Sequence, residues 1–336
     1  MKFNLIPVYR QTIYLHQYLY FRWWVAGNAS QHSAISIGQN ILTQTKMEID
    51  RMRNIFKFLL GNIPDNLSCD NLPVQDDLLP LDRYILHCLT LHCKQIEEYY
   101  TNFHYNKVVT QTQFFIGSTL SSFYFDLIKD RLYCDSGTSK ERMSANQVLW
   151  HVLNNLQATI SPILPVLCRE VTLHSNSFNK SKDESSLLYR YSTQENWVDH
   201  VLQNQMDVLI DFKKSLISII GTGKSDSVST KDLNKLELVL MPMCQSTSET
   251  LATFGCKGLQ EIFQVAKVEI CGSEEQLHQY TSNSNEENYN RVYIENDIKF
   301  RIFQSKLKLC PRCRLYSSDG QEDNDTLCSR CNAILT

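Results

Sequence analysis

Four cysteines in the last thirty residues carry the spacing of a metal site: Cys310-Pro311-Arg312-Cys313 and Cys328-Ser329-Arg330-Cys331, with fourteen residues between the pairs. Each C-x-x-C turn brings two thiolates to one side of a knuckle, and two facing knuckles complete a tetrahedral sulfur site suited to Zn2+. Four thiolates fill the coordination sphere and leave no position for water, so the expected role is structural rather than catalytic. The flanking apolar residues, Leu307 and Leu309 before and Ala333, Ile334 and Leu335 after, are too few to fold alone. Metal binding is expected to supply the missing stability. A redox dithiol accounts for one C-x-x-C pair but not for two, and iron–sulfur ligation stays open because it draws on the same thiolates.

Around these cysteines Arg301, Lys306, Lys308, Arg312, Arg314 and Arg330 accumulate, while Asp319, Glu322, Asp323 and Asp325 cluster between the pairs. One face is thus expected to be basic and the opposite tip acidic. A basic face suits phosphate contact, and Tyr316 is placed to stack on a base. Other chemistry is missing. The 11 glycines are dispersed with no phosphate-cradling loop, and there is no metalloprotease or nucleophile-elbow pattern.

The other eight of the 12 cysteines have no repeating interval and sit among apolar residues, which reads as buried thiols. With 336 residues the chain is long enough for two or three domains and a large core. Its 43% hydrophobic and 21% charged content is that of an ordinary soluble protein. The net charge of −3 requires any nucleic-acid binder to concentrate its cations locally. No apolar run approaches the length of a membrane span, and a secreted disulfide framework is disfavoured by length and by the lack of a signal peptide. The expected compartment is reducing. Residues 1–47 contain no Asp or Glu, the bias of a transit peptide, but only residues 1–18 are expected to be able to serve as a leader.

The elements that must position the cysteines are mostly helical. In Lys107–Cys134 large apolar residues fall at Val108, Phe115, Ile116, Leu120, Phe123, Leu127, Ile128 and Leu132, a wide face at helical spacing. This stretch is expected to be the central helix of a bundle. Ser36–Gly61 has the same periodicity, with a possible cap at Ser36 and charges along its polar sides. Leu81–Asn102 is a third helix. Met143–Val171 is a fourth, bent or broken at Pro162 and Pro165. The linker after Ile63, rich in Pro, Asn and Asp, and the break at Ser136–Ser139 separate them. Further on, a helix is expected over Trp197–Ile220, strands over Leu236–Pro242 and Ala266–Ile270, and an edge strand over Asn296–Leu309. The polar stretches near 175–186, 221–230 and 282–291 read as loops.

These segments also resemble a known family. FRWWVA (21–26), MRNIFKFLLGNI (52–63), LPLDRYIL (79–86), YYTNFHYNKVVTQTQFFI (99–116), SSFYFDLIKDRLYCD (121–135) and SPILPVLCREV (161–171) follow one another as in isoleucyl-tRNA synthetases. Within that family they resemble the C-terminal, anticodon-binding part of the mitochondrial and bacterial type, which also ends in a four-cysteine ribbon. The resemblance covers roughly residues 20–175 and 300–335. It implies a mainly α fold: an antiparallel helical bundle of the class I synthetase anticodon-binding type, a small α+β appendix and a C-terminal zinc ribbon. The implied boundaries are 1–35 for a junction segment anchored by Trp23 and Trp24, 36–175 for the helical domain, 176–300 for the appendix and 301–336 for the ribbon.

The resemblance further implies contact of Arg53, Asn54 and Lys57 with tRNA phosphates, against which a solvated helix face explains the same charges. It implies an isoleucine-accepting tRNA as partner, a mitochondrial matrix or else cytoplasmic location, and ATP as cofactor only in the full-length family. The HIGH and KMSKS elements and the editing domain are absent from this sequence; ERMSAN (141–146) lies between two bundle helices and is read as accidental. The chain alone is therefore expected to bind RNA, to catalyse nothing and to depend on a separate catalytic domain. A stand-alone tRNA-binding accessory and a zinc-stabilised protein-docking scaffold are the competing readings.

Overall fold

In the computed structural model, residues 18–29, 38–64, 77–175, 189–222, 230–279, 292–317 and 327–335 are described. The possible leader up to residue 17, the cap at Ser36, most of the linker after Ile63, most of the three polar loops and the acidic cluster Asp319, Glu322, Asp323 and Asp325 lie outside them. The chain divides into two compact units. Unit 1 comprises Met1–Leu78, Ile85–Asp126 and Met143–Val198, and unit 2 comprises Leu79–Tyr84, Leu127–Arg142 and Asp199–Thr336. Helices α2 and α5, defined below, run through both.

Unit 1 is helical. Helix α1 (Gln39–Asn62) buries Thr45, Ile49, Met52, Ile55, Phe56 and Leu59, the stripe its sequence periodicity specifies. Burial of each large side chain stabilises by about 1.5–3 kcal/mol. The helix ends where Asn62 Nδ2 donates to the Phe58 carbonyl at 2.8 Å, satisfying a last-turn acceptor. Before it, residues 18–24 are helical and pass into a π-turn at Val25–Ala29. There Trp23 is buried with its indole N–H on Glu48 at 2.9 Å. At Gly27 a Cβ would come within 3.2 Å of Val109, so glycine permits the close approach of helix α3.

Helices α2 (Pro80–Thr101) and α3 (Tyr105–Phe114) follow, and the expected single helix over Lys107–Cys134 is not regular. It widens into a π-helix at Phe115–Tyr124, takes one α-turn at Phe125–Leu127, breaks at Ile128 and resumes as α4 (Lys129–Cys134). Small residues at Gly117, Ser118, Ser121 and Ser122 allow the widening, and Ser122 Oγ donates to the carbonyl of Gly117 five residues back at 2.8 Å. Nor is this the most enclosed helix. That is α5 (Lys140–Ile160), in which all but two of residues 144–160 are buried. Its polar Asn146, Gln147, His151, Asn155, Gln157 and Thr159 hide this from a periodicity argument. Asn155, for instance, donates to Ser192 Oγ at 3.1 Å and accepts from the Ser192 N–H at 2.9 Å. After Ile160 the chain breaks at Pro162 as expected, and Pro165 opens α6 (Pro165–His174).

The C-terminal part of unit 2 packs α7 (His200–Thr222) and α8 (Gln245–Phe263) with a four-stranded mixed sheet in the order β2-β1-β4-β3. The strands are β1 (Leu236–Pro242), β2 (Lys267–Ile270), β3 (Val292–Glu295) and β4 (Ile298–Gln304). Strands β1 and β2 are parallel, with α8 between them, whereas β4 is antiparallel to both β1 and β3. The β3–β4 hairpin turns through Asn296 and Asp297, both left-handed at φ 51° and 57°, the conformation a two-residue hairpin demands. The expected edge strand is therefore interior, and the expected boundary at residue 301 falls inside β4. A core of Phe212, Phe263 and Phe300, with ring centroids 4.8–5.1 Å from that of Phe212, joins α7, α8 and β4. The short helix α9 (Glu274–Gln279) places buried Leu277 with Val239 and Met241.

Candidate metal centre and nucleic-acid interface

The first cysteine pair sits between β5 (Lys308–Leu309) and β6 (Tyr316–Ser317), which pair antiparallel. The Cys310 N–H donates to Leu315 at 2.9 Å and the Arg314 N–H to Cys310 at 3.0 Å. Closing this knuckle puts Arg314 at φ 59°, a left-handed conformation costing a non-glycine residue about 1–2 kcal/mol. The second pair departs from the expected matching knuckle. Cys328 precedes helix α10 (Ser329–Leu335) and Cys331 lies in its first turn, with the Asn332 N–H on the Cys328 carbonyl at 2.9 Å.

All four sulfurs are buried and lie within 4.8 Å of one another. The Sγ atoms of Cys313 and Cys328 are 3.9 Å apart, too far for a disulfide and close to the ~3.8 Å edge of a tetrahedron with Zn–S bonds of ~2.3 Å. The Cys328 N–H donates to Cys310 Sγ at 3.5 Å. Burial pushes the Cys310 thiol up, but the N–H groups of Cys328, Cys313 and Arg312 outweigh it and bring the group down to about 6. Burial instead holds Cys313 and Cys331 above the ordinary thiol range. Four enclosed sulfurs held this close need a cation before all can ionise. The set could hold a metal ion.

Helix α4 and the residues after it carry this site. Cys134 packs into the same buried cluster as the four cysteines, its Sγ 3.9 Å from the Arg312 carbonyl. Burial, with Asp130 and Cys331 beside it, pushes its thiol up to about 11. Arg330 of α10 donates to both carboxylate oxygens of Asp130 at 2.6 Å and to Asp135 at 3.0 Å. On the neighbouring side Arg131 is buried between Asp82, at 2.8 Å, and Glu261. Glu261 rises to about 7 because burial outweighs the pull of Arg131. The other scattered cysteines are only partly as expected: Cys93, Cys168 and Cys271 are buried too, but Cys244 and Cys256 are exposed and Cys88 is half-buried.

The cations expected to meet RNA separate into two groups. Arg301 is turned into the fold: it is 6% exposed on interior strand β4, donates to the Leu277 carbonyl at 3.3 Å and lies 5.8 Å from the Phe303 ring centroid. Arg330 is committed to Asp130 and Asp135. Arg53 faces α6 rather than water and pairs with Glu170 at 3.0 Å. Arg312 is half-buried with Nη1 3.5 Å from the Cys331 carbonyl. By contrast Lys306, Lys308 and Arg314 are exposed and Tyr316 is half-exposed, all in unit 2 beside the metal site. In unit 1, Asn54 and Lys57 of α1 are exposed.

Arg51 of α1 joins Asn54 and Lys57 on the exposed side of that helix. Its guanidinium lies against the π-helix, with Nη1 3.4 Å from where a Cβ on Gly117 would be, and it makes no ion pair among the described residues. Its charge was legible in the sequence; its advantage over Arg53 was not, because only the tertiary neighbour Glu170 separates them.

Residues 82–240 match the anticodon-binding domain of tRNA ligases. The matched stretch begins at Asp82, the buried partner of Arg131, and ends in β1. Over 329 residues the chain is 28% identical to the mitochondrial isoleucine–tRNA ligase of Macaca fascicularis. It is 27% identical over 323 residues to the isoleucine–tRNA ligase of Kosmotoga olearia, and 28% over 323 residues to the mitochondrial enzyme of Schizosaccharomyces pombe. Each alignment covers 94% of this chain but 32% of the relative, so the chain spans about a third of the length of these ligases. The anticodon-binding match thus takes in α4 and the residue after it, where Asp130 and Asp135 bind Arg330 and Cys134 packs with the four cysteines. Among the described residues no helix is long and apolar enough to cross a membrane.

Proposed function

We propose that this chain holds the anticodon arm of an isoleucine-accepting tRNA, as the C-terminal part of an isoleucine–tRNA ligase. The anticodon-binding match over residues 82–240 carries this reading. The exposed or half-exposed groups supply its contacts: Arg51, Asn54 and Lys57 on one unit, and Lys306, Lys308, Arg314 and Tyr316 on the other. Exposed cations are suited to phosphates, where each contact displaces a counterion, and Tyr316 offers an aromatic face on which a base can stack.

The metal in this reading is Zn2+ with a structural role. Cys310, Cys313, Cys328 and Cys331 would hold it, closing a segment that has almost no apolar core of its own. ATP and aminoacylation belong to a separate catalytic domain of the ligase. The mitochondrial relatives from macaque, chicken, mouse and Schizosaccharomyces pombe support a mitochondrial matrix location.

The test is fluorescence anisotropy of the zinc-loaded chain with an isoleucine tRNA transcript and an anticodon-altered transcript, across a salt series. The native anticodon should bind more tightly, and Lys306→Ala with Arg314→Ala should lower the slope of log affinity against log salt by about one per phosphate lost. Equal affinity for the two RNAs with an unchanged slope in the variants would overturn the reading.

A further inference from the structure

Helix α2 ends in a turn that uses an unfavourable residue in an unfavourable way. The Phe103 N–H donates to Tyr100 at 3.1 Å and the His104 N–H to Tyr99 at 2.8 Å, the paired bonds of a Schellman C-cap. That motif places one residue in the left-handed region, where glycine or asparagine is favoured because neither suffers much from its Cβ. Here the position is Phe103, at φ 56°. The same side chain is 72% exposed, the largest fraction among the exposed large hydrophobic residues described. Neither the turn nor the core requires a phenyl ring there.

The ring is nonetheless supported. Tyr105 meets it edge-on with centroids 6.3 Å apart and an interplanar angle of 67°. Tyr105 in turn packs against Tyr100 at 6.1 Å, and the Tyr100 hydroxyl is tied to the Thr159 carbonyl at 2.8 Å. The Lys107 ammonium, in the first turn of α3, sits 5.5 Å from the Tyr99 ring centroid. The turn therefore presents an aromatic face fixed by its backbone and by ring packing, with exposed Lys107 four residues further along the chain. Glu97 and Glu98 lie one turn back on α2.

We propose that Phe103 is a stacking platform for one unpaired base of a bound RNA, with Lys107 taking an adjoining phosphate. A strained backbone and an exposed aromatic at one residue are two separate costs that neither packing nor the turn explains, which points to a ligand. A planar face flanked by a cation matches a nucleotide, which offers a π-surface and a negative charge a few ångströms apart. This inference rests on the tRNA-binding reading but concerns different residues from the α1 face and the metal-site cations.

Substitution separates binding from folding, because Phe103→Gly suits the left-handed turn and should raise the melting temperature of the full chain. With the isoleucine tRNA transcript, Phe103→Gly should weaken binding about five- to a hundredfold, as expected for the loss of one stacked base. Phe103→Trp should bind at least as well as the unaltered chain, and Phe103→Leu, which keeps bulk and strain without a π-face, should bind like the glycine variant. The salt slope should be unchanged in all three and lower only in Lys107→Ala. Unaltered affinity of Phe103→Gly, in a chain that binds tRNA, would overturn the platform alone. A change in self-association without a change in RNA affinity would also overturn it and assign the ring to a protein contact. Absence of tRNA binding by the unaltered chain would overturn the functional reading and the platform with it.

Discussion

Arg330 grips Asp130 with both of its terminal nitrogens, each 2.6 Å from a carboxylate oxygen, and reaches Asp135 with one of them. A bidentate guanidinium–carboxylate pair fixes both distance and orientation. It joins helix α10, which carries Cys331, to the helix that carries Cys134. The segment KDRLYCD within unit 2 is therefore a docking strip for the metal site.

Arg330→Ala should cost on the order of 2–3 kcal/mol of the stability of unit 2, since it strands two carboxylates that now accept charged hydrogen bonds. Arg330→Lys keeps the charge without the fork and should recover part of the loss. Urea midpoints followed through Trp-independent far-UV signal and thiol exposure measure this. An unchanged midpoint in Arg330→Ala would show that the pair contributes nothing.

Metal analysis of the purified chain should find one zinc per molecule. A strong chelator should expose four further thiols to a colorimetric reagent, beyond the already accessible Cys244 and Cys256, while most helical signal persists because the site itself contains few residues. Collapse of the helical signal on chelation would contradict the separate role given to the metal. So would recovery of a metal-free chain whose four cysteines are still protected.

Burial pushes His92 down to about 3 and His151 down to about 4, below the ~6.5 of an unfolded chain. The unfolded state then binds more protons, so the stability these neutral rings share is complete above pH 6.5 and is lost as pH falls toward 4 and 3. Each histidine should contribute a slope of up to about 1.4 kcal/mol per pH unit within its window. Stability measured from pH 7.5 to 5 should fall accordingly, and less steeply in His151→Gln. A flat profile down to pH 5 would contradict the buried placement of both rings.

Arg301→Ala and Arg314→Ala should behave oppositely. The first removes a buried guanidinium from β4 and should destabilise by about 2–3 kcal/mol without altering the salt dependence of tRNA binding. The second relieves nothing in the core and should leave the melting temperature within a degree or two while lowering the salt slope. Reversal of the two results would return Arg301 to the interface.

Most elements were legible because their signals are local. The helices α1, α2 and α7, the break at Pro162, the strands β1 and β2 and the clustering of the four cysteines all follow from apolar spacing, from proline or from paired cysteines. Where the reasoning went astray, a nonlocal partner decided. The helix expected to be central splits and widens because small residues admit a π-helix, whereas α5 is enclosed although it carries Asn and Gln: Ser192 satisfies Asn155, and Cys168 and Thr172 accept from Gln157. Alternating Lys299, Arg301 and the apolar residues of β4 read as an edge strand, yet β3 pairs along its other side. There Lys299 meets Glu274 and Arg301 reaches the Leu277 carbonyl.

Taken alone, the sequence determined the chemistry available to this protein: four thiolates at metal spacing, a mainly helical chain and an excess of cations near the cysteines. A residue's type and its near neighbours suffice for that. Only the tertiary structure decided which cations remain available. Arg53, Arg301 and Arg330 look no different in sequence from Arg51 and Arg314, but an ion pair or a buried strand is made by residues far along the chain. Whether a charge reaches a ligand depends on whether the fold has already neutralised or enclosed it.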